Sequence, residues 1–312
     1  MRIAATTVVL CLALAAGRAF AVQVETYSTS SKESKDVALV ESEAPFSFEF
    51  HAEQTYAGNG DVQRGSLSVR NFHESDTRIH FILTPTTKIG VLRLGVQTER
   101  YSFGYSSTAP IPNDLHSTAL VIGLDTEFSD SFLIRFEADP GFYGTDFDDF
   151  GQDTFNVPVI LGGTYIFSSN FQVVFGLGFD ALRKYPVLPG GGVRWKFASQ
   201  WTLNAVAPTP RLEYEPNSSM LFYAGADIRA TSYRVEKNFG TLRGNPALNH
   251  AAITFEEVRV GAGLDWKLTT AMKLSLEGGM IPFRNFDFHR TQVRYHQDGG
   301  APYGMLALHA AF

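Results

Sequence analysis

The chain has 312 residues, and its 26 basic and 32 acidic side chains give it a formal net charge of −6 at pH 7. This acidic balance argues against nucleic acid as a partner. The only cysteine, Cys11, lies in an N-terminal apolar segment. A chain that loses this segment has no thiol for disulfides, thiolate metal sites or cysteine catalysis.

The N-terminus has the pattern of a secretory signal peptide. Arg2 precedes an apolar run over residues 3–16, and Ala19 and Ala21 supply small residues two apart. The run is too short to span a bilayer as a helix. We therefore predict a signal peptide over residues 1–21, with cleavage after Ala21. Residues 22–45 are rich in Ser, Lys and Glu without a sustained period, which predicts a flexible periplasmic arm.

From residue 46 onward, apolar and polar side chains alternate, as in strands with one apolar face. The alternation is clearest over residues 120–128, 171–179, 258–268 and 272–280. Such stretches run for about 9 to 15 residues, which suits tilted transmembrane strands better than the shorter strands of soluble proteins.

Short and long connections alternate between these predicted strands. Three-residue loops are flanked by apolar pairs, namely Phe128 and Phe132, Phe167 and Phe171, Phe197 and Trp201, and Leu268 and Met272. Residues that flank such a loop point to the same face, so each hairpin keeps one continuous apolar side. Longer connections are predicted at residues 104–116, 139–153, 182–190, 237–253 and 289–301, with a short one at Pro208–Pro210. Short turns at one rim and long loops at the other are typical of outer-membrane barrels.

The last eleven residues alternate up to a terminal aromatic side chain, with Leu306, Leu308, Ala310 and Phe312 on one face. A final strand leaves no exposed edge if it pairs with the first strand and closes the sheet. This ending resembles the C-terminal signal by which bacterial outer-membrane barrels are recognised for assembly. Phe312 is therefore the predicted assembly signal, and the barrel-assembly machinery is a predicted partner.

These patterns predict an all-β fold, a single antiparallel transmembrane β-barrel of 12–14 strands over residues 46–312, closed by the strand that ends at Phe312. Its predicted location is the outer membrane of a Gram-negative bacterium, with the lipid bilayer as a partner. The strand count stays open around residues 58–84 and Pro208–Pro210, where bulges or bent strands can be miscounted. A secreted β-sandwich is the alternative, but strand length and turn register favour the barrel.

The middle of the chain resembles a known family. Residues 188–195 read Leu-Pro-Gly-Gly-Gly-Val-Arg-Trp, and residues 201–214 include the Pro-Thr-Pro turn. This block is similar to the central part of an uncharacterised family of bacterial outer-membrane β-barrel proteins, most strongly over about residues 139–235. The resemblance implies the barrel and its location, and it implies no activity.

If the apolar face contacts lipid, the polar face lines the lumen. We predict nine basic and nine acidic lumen-lining side chains: Arg93, Arg135, Arg194, Lys196, Arg211, Arg229, Arg259, Lys267 and Lys273, with Glu99, Asp125, Glu127, Glu137, Asp180, Glu213, Asp227, Asp265 and Glu277. A balanced set can close a narrow lumen through ion pairs, or it can line a watery pore with little charge preference.

Metal binding and catalysis receive little support. The carboxylates of Asp146, Asp148, Asp149 and Asp153 could hold a hard cation such as calcium, but they lack the ordered spacing of a calcium loop, and a solvated external loop explains them more simply. We predict no metal and no other cofactor.

The sequence has no Gly-x-Ser-x-Gly or His-Glu-x-x-His motif. His73 and Ser75 resemble the His-x-Ser pairing of a lipid A deacylase barrel, but they merely share one face of a strand and no third orienting group is evident. We predict that the chain is not an enzyme.

Three functional hypotheses follow. The first is a passive pore or small-solute transporter with a charge-balanced lumen. The second is a plugged structural or surface-interaction barrel without transport. A lipid-modifying barrel enzyme is the third and the least supported.

Overall fold

The structure is a computed structural model that describes residues 46–146 and 151–312. The predicted signal peptide and arm lie outside the described residues. In chain order the strands are β1 (Phe46–Arg64), β2 (Leu67–Thr87), β3 (Gly90–Ser106), β4 (Asp114–Ser129), β5 (Phe132–Ala138), β6 (Gly141–Gly144), β7 (Phe155–Asn156), β8 (Val159–Ser168), β9 (Phe171–Phe179), β10 (Val187–Ala198), β11 (Trp201–Asn204), β12 (Arg211–Asn217), β13 (Met220–Arg234), β14 (Ala252–Lys267), β15 (Met272–Phe288), β16 (Val293–Asp298) and β17 (Ala301–Ala311).

These 17 elements form one closed antiparallel barrel of 14 strands. The 17 elements count as 14 strands because three pairs of elements each form a single strand of the wall. These pairs are β5 with β6, β7 with β8, and β16 with β17. β5 and β6 both pair with β4, and β16 and β17 both pair with β1 and β15. β7 and β8 pair with β6 and β5, which are themselves consecutive parts of one strand. The prediction of an antiparallel barrel is confirmed, and the strand number is the upper limit of the predicted range.

The barrel closes where β1 pairs with β2 on one side and with β16 and β17 on the other. The backbone N–H groups of Phe48 and Phe312 each donate to the carbonyl oxygen of the other residue, both at 3.0 Å. The rings of these two residues also lie 6.1 Å apart. The strand that ends at Phe312 therefore closes the sheet, as predicted, and leaves no unpaired edge at this seam.

The two ends of the barrel differ. One end, the turn rim, carries the tight turns after β2, β4, β8, β10, β12 and β14, together with Phe46 and Phe312. The opposite end, the loop rim, carries the connections at residues 65–66, 107–113, 145–154, 180–186, 205–210, 235–251 and 289–292. The connection at residues 235–251 holds a short helix, α1 (Phe239–Leu242), and a 3₁₀ turn (Pro246–Leu248). No helix in the described ranges is long and apolar enough to cross a membrane.

Three predicted connections need correction. Residues 139–153 contain strand β6, residues 289–301 contain strand β16, and residues 187–190 belong to β10 because they pair with β9. The uncertain region 58–84 contains the end of β1 and most of β2, and the chain turns between them at Gly65 with a left-handed φ of 58° that a glycine adopts without strain.

The Gly-rich run of β10 reflects a close backbone approach. A Cβ atom at Gly192 would lie only 1.9 Å from the carbonyl oxygen of Ala205. The next residue, Val193, accepts a backbone hydrogen bond from Ala205 at 2.8 Å. Glycine is therefore required where β10 meets the residues that follow β11.

The wall is tall on one side and low on the other. Strands β1 and β2 have 19 and 21 residues, whereas β9 and β12 have 9 and 7. Beyond the low wall, β13 meets β6 directly through a parallel bridge between Arg234 and Gly144, although the two strands are not neighbours in the 14-stranded barrel. The tall strands thus close into a narrow ring of nine, formed by β13, β14, β15, β16, β1, β2, β3, β4 and β6.

The outer face of the barrel is apolar, as the alternation predicts. Large side chains exposed on this face include Tyr56, Ile79, Phe81, Leu94, Val96, Leu120, Ile122, Phe136, Leu161, Phe175, Leu177, Trp195, Leu212, Phe222, Val260, Leu276, Met280 and Leu306. A continuous belt of this size is far larger than the apolar patches that soluble monomers expose.

Candidate functional site: the barrel lumen

The narrow ring is filled by an aromatic core. The ring of Phe286 lies 5.0 Å from that of Phe255, 5.1 Å from that of Phe103 and 5.7 Å from that of Phe72. Phe72, Phe255 and Phe286 are no more than 1% exposed. A barrel of about eight strands has an interior just wide enough for side chains to fill, so a ring of nine accommodates such a core without a channel.

Residues from the loop rim complete this core. Ile111 from the connection after β3, and Phe239 and Leu248 from the connection after β13, are each no more than 1% exposed. They pack in the same cluster as Tyr143 and Tyr233, which come from the two strands that close the narrow ring. The loops therefore cover the ring with apolar side chains.

Below the aromatic core, towards the turn rim, lies a layer of buried charges. We call it the ion-pair layer and define it as four arginines and five carboxylates: Arg78, Arg229, Arg259, Arg284, Glu53, Glu74, Asp76, Glu99 and Glu257. None of these residues is more than 8% exposed. Buried charges are tolerated only when they are paired, and each of these residues has an ion-pair partner within the layer. Four atoms, Glu74 Oε2, Asp76 Oδ1 and both Nη atoms of Arg284, make no hydrogen bond within the described residues.

The ion-pair layer crosses the lumen. From β13, the Arg229 guanidinium donates to Asp76 at 2.5 Å on β2 and to Glu53 at 2.6 Å on β1. From β14, the Arg259 guanidinium donates to Asp76 at 3.0 Å and to Glu74 at 3.2 Å. These bonds join strands on opposite sides of the narrow ring, so the charges tie the wall together across its interior.

Arg284 joins the ion-pair layer to the aromatic core. Its Nε lies 2.9 Å from a Glu74 oxygen and donates to Glu257 at 3.0 Å. Its guanidinium carbon lies 5.3 Å from the centroid of the Phe72 ring, within the range of a cation–π contact. Two closed layers are therefore stacked in direct contact.

Towards the turn rim the lumen widens to the full 14 strands, and here the charged side chains pair along the wall. We call this region the wide lumen. Arg135 makes two hydrogen bonds of 2.6 Å to Asp125 on the neighbouring strand, and Arg211 donates to Glu213 on its own strand at 2.8 Å. The side chains of Arg135 and Asp125 keep 31% of their surface exposed. These pairs follow the wall and leave space in the middle of the barrel.

A small polar cavity lies at the step between the low wall and the narrow ring. Its volume is about 90 Å³, and its lining includes His80, Glu137, Tyr143, Asp180 and Arg183. Arg183 lies 3.2 Å from Asp180 and also donates a hydrogen bond to the carbonyl oxygen of Ala230 on β13. This contact covers part of the β13 edge that the low wall leaves without a strand.

The predicted lumen residues fall into separate places. Arg229, Arg259 and Glu99 belong to the ion-pair layer, and Asp227 pairs with Arg229 at 2.6 Å. Ion pairs or hydrogen bonds in the wide lumen involve Arg93, Asp125, Arg135, Glu137, Arg194, Arg211, Glu213, Asp265, Lys273 and Glu277. Asp180 lines the cavity, and Glu127, Lys196 and Lys267 are exposed near the turn rim.

Sequence reasoning missed most of the ion-pair layer. It did not single out Glu53, Glu74, Asp76, Arg78, Glu257 or Arg284, although these residues occupy alternate inward positions. On β2, Phe72, Glu74, Asp76, Arg78 and His80 all point inward, a run of five alternate positions. This pattern identifies Glu74, Asp76 and Arg78 as inward-facing residues. It was missed because the bulge near Asn71 conceals where β2 begins.

The catalytic and metal candidates are not assembled into a site. Glu74, between His73 and Ser75, points inward to the ion-pair layer, while Ser75 accepts a hydrogen bond from Gln54 at 2.9 Å on the outer face. Within residues 46–146 and 151–312, no group of three His, Asp or Glu side chains is arranged to hold a metal ion. Asp148 and Asp149 of the candidate loop lie outside the described residues.

Asp153, the described end of that loop, has other partners. Its carboxylate lies 3.1 Å from the Lys237 ammonium and 3.9 Å from His250, which both belong to the connection that holds α1. The hydrogen bond from Lys237 lowers the pKa of the Asp153 carboxyl from its usual value. Asp153 therefore links two connections at the loop rim.

Comparison with known proteins gives barrel architectures only. No protein-family model and no curated protein matches the chain. An outer membrane channel from Pseudomonas putida F1 is similar in structure, with 9% identity, a TM-score of 0.45, and coverage of 86% of this chain and 96% of that one. The Pseudomonas putida toluene transporter TodX has 10% identity and a TM-score of 0.36, with coverage of 85% of this chain and 89% of that one. The KdgM porin has 10% identity and a TM-score of 0.34, with coverage of 85% of this chain and 99% of that one. These likenesses are distant, and the function proposed below rests on this chain's own residues.

Proposed function

We propose that this chain is an integral outer-membrane β-barrel whose lumen is closed to simple diffusion. Among the three functional hypotheses, the geometry favours the plugged barrel. The observation that carries this choice is the set of hydrogen bonds by which Arg229 and Arg259 cross the narrow ring. No more than 4% of either arginine is exposed, which supports closure of the lumen at this height.

Membrane insertion is supported by the outer surface. The apolar belt requires a nonpolar solvent, and a closed barrel satisfies its backbone groups within the sheet. About 9–11 tilted residues cross the hydrocarbon layer, so the 19 and 21 residues of β1 and β2 extend well beyond it. We place the turn rim at the periplasm and the narrow ring on the outer side. If the mature chain stays monomeric in buffer without detergent or lipid, this proposal is wrong.

Single-channel recording in planar bilayers tests the closed lumen. We expect the inserted wild-type protein to show no steady conductance, whereas an open porin inserted in the same way provides the positive control. Insertion is verified separately by heat-modifiable migration on gels. Steady openings of the wild-type protein would overturn the plugged barrel.

Cysteine labelling locates the closure. The chain without residues 1–21 has no cysteine, so a single introduced thiol is a clean probe. In oriented vesicles, we expect Lys273→Cys in the wide lumen to react with an impermeant thiol reagent added at the turn rim only. Equal reaction from both sides would contradict closure at the ion-pair layer.

A small-solute transporter is the second candidate, favoured by the wide lumen and its polar cavity. Such a transporter would have to displace the ion-pair layer and the aromatic core during each passage. Proteoliposome swelling with small polar solutes separates the two candidates. Solute entry without steady conductance would favour the transporter, and no entry supports the plugged barrel.

We also propose a non-enzymatic role. Ser75 lies on the outer face, and the carboxylate next to it points into the lumen, so no nucleophile, base and orienting acid share one side of β2. Phospholipid hydrolysis by purified protein that is lost in Ser75→Ala would overturn this view.

A further inference from the structure

Three histidines lie in a row at the closing seam of the barrel. His309 on β17 is directly opposite His51 on β1, and His51 is directly opposite His80 on β2. All three side chains point into the lumen, one inward position nearer the turn rim than Glu53 on β1. We call this set the histidine row. Neither the plugged barrel nor the transporter requires imidazoles at this place.

The central pair is already close to the geometry of two metal ligands. The Nδ1 atoms of His51 and His309 are 3.0 Å apart, and the ring centroids are 4.2 Å apart. Zinc-to-nitrogen distances of about 2.0–2.1 Å at a tetrahedral angle place two ligand nitrogens about 3.3 Å apart. An ion would therefore fit between the rings if the two Nδ1 atoms moved a few tenths of an ångström further apart.

A carboxylate orients the second nitrogen of His51. Its Nε2 lies 3.6 Å from an oxygen of Glu53. A metal-bound histidine usually presents its other ring nitrogen to a carboxylate, which fixes the tautomer and makes the ligand more basic. The arrangement around His51 has this form, with Nδ1 towards the partner imidazole and Nε2 towards the acid.

The third histidine lies beside a cavity. The ring centroids of His51 and His80 are 5.5 Å apart, and His80 lines the polar cavity of about 90 Å³. The three imidazoles do not form a ligand set as they stand, so His80 would have to exchange its present contacts for an ion held by the other two through a change of side-chain rotamer. Water from the wide lumen would fill the remaining position.

Nearby charges leave the row accessible to a cation. The basic side chains beside the row are paired: Lys273, directly opposite His309, donates to Asp265 at 3.3 Å, and Arg229 donates to Glu53 at 2.6 Å. Imidazole ligands select zinc, copper and nickel ions over calcium and magnesium, which prefer oxygen ligands. We propose that the histidine row binds one divalent transition-metal ion of the zinc and copper class.

Titration of the full-length barrel in detergent, after treatment with a chelator, tests this site. We expect one Zn²⁺ per chain by calorimetry, with affinity reduced at least about tenfold in His51→Asn and in His309→Asn, because loss of a ligand costs no less than loss of an outer-shell partner. His296→Asn is the matched control, since this histidine is exposed on β16 away from the row. It should bind Zn²⁺ like the wild type.

Electron paramagnetic resonance with Cu²⁺ gives a second measurement that does not depend on the folding of a variant. Nitrogen hyperfine structure from at least two imidazoles would support the proposal. Absence of 1:1 binding in the wild type, or binding that survives in both His51→Asn and His309→Asn, would overturn it. These outcomes are independent of conductance, so the metal site can fail while the plugged barrel stands.

Discussion

The narrow ring and the wide lumen use the same strands in different ways. Strands β1 to β4 and β13 to β15 contribute to both regions. In the narrow ring, Arg259 reaches acids on β2 across the interior, whereas in the wide lumen Arg135 pairs with Asp125 on the next strand. The width of the barrel therefore decides whether a charge pair spans and closes the lumen or only joins residues along its wall.

The two regions explain why charge balance alone did not decide between an open and a closed lumen. Equal numbers of basic and acidic lumen residues are compatible with a closed or an open interior, and this chain has both arrangements at different heights. The step in wall height divides the two regions, because β13 can meet β6 only where the strands between them have ended.

The largest expected effect comes from removing a crossing charge. Arg259→Ala should lower the free energy of unfolding by about 3–5 kcal/mol, because it leaves three arginines against five carboxylates in the buried ion-pair layer. Arg135→Ala, the matched change in the wide lumen, should cost less than about 1 kcal/mol because its pair is partly exposed to water. Urea unfolding in detergent measures both. Equal losses would remove the distinction between the two regions.

The aromatic core gives a comparable prediction. Phe286→Ala should cost about 3–5 kcal/mol, because its fully buried ring packs on three other aromatic rings. Phe128→Ala is the control at the turn rim, where the ring is 78% exposed, and should cost less than about 1 kcal/mol. A small loss for Phe286→Ala would indicate that the narrow ring is loosely filled.

The end of the closing seam at Phe312 lies at the turn rim, in the wide part of the barrel, and should be less sensitive. Deletion of Phe312 removes two backbone hydrogen bonds to Phe48, each worth about 1 kcal/mol net. We expect less of the heat-modifiable, assembled form, both from this loss and from loss of the predicted assembly signal. Phe312→Tyr keeps the aromatic ring and the backbone bonds and should assemble normally. Full assembly after the deletion would contradict the predicted signal.

Much of the wide barrel could be predicted from the sequence. Alternation over residues 258–268 and 272–280 identified β14 and β15, because each strand has lipid on one side and a polar interior on the other. That rule fails in the narrow ring. There the interior side chains are apolar and their sequence neighbours are polar, as with Phe286 between Asn285 and Asp287, so a rule that assigns the apolar side chains to lipid gives the wrong face.

Two other long-range features could not be predicted from the sequence. The bridge between Arg234 and Gly144 joins residues 90 positions apart that lie on non-neighbouring strands. Only the relative lengths of strands β7 to β12 create it, and those lengths depend on interruptions at residues such as Pro140 and Pro158. The register that places His309 beside His51 likewise depends on how the barrel closes.

The smallest expected effect lies outside both regions, at the link between Asp153 and Lys237. Because the pKa of the Asp153 carboxyl is lowered in the folded chain, any stabilisation is present above its unfolded pKa and is lost as pH falls through the folded value. Both partners are solvent-exposed, so Asp153→Asn should leave the unfolding midpoint unchanged at pH 7. Its effect should be confined to faster proteolysis at the loop rim, measured beside Lys237→Gln. A large loss of stability would mean that the loop rim, and not the interior of the narrow ring, holds this end of the barrel closed.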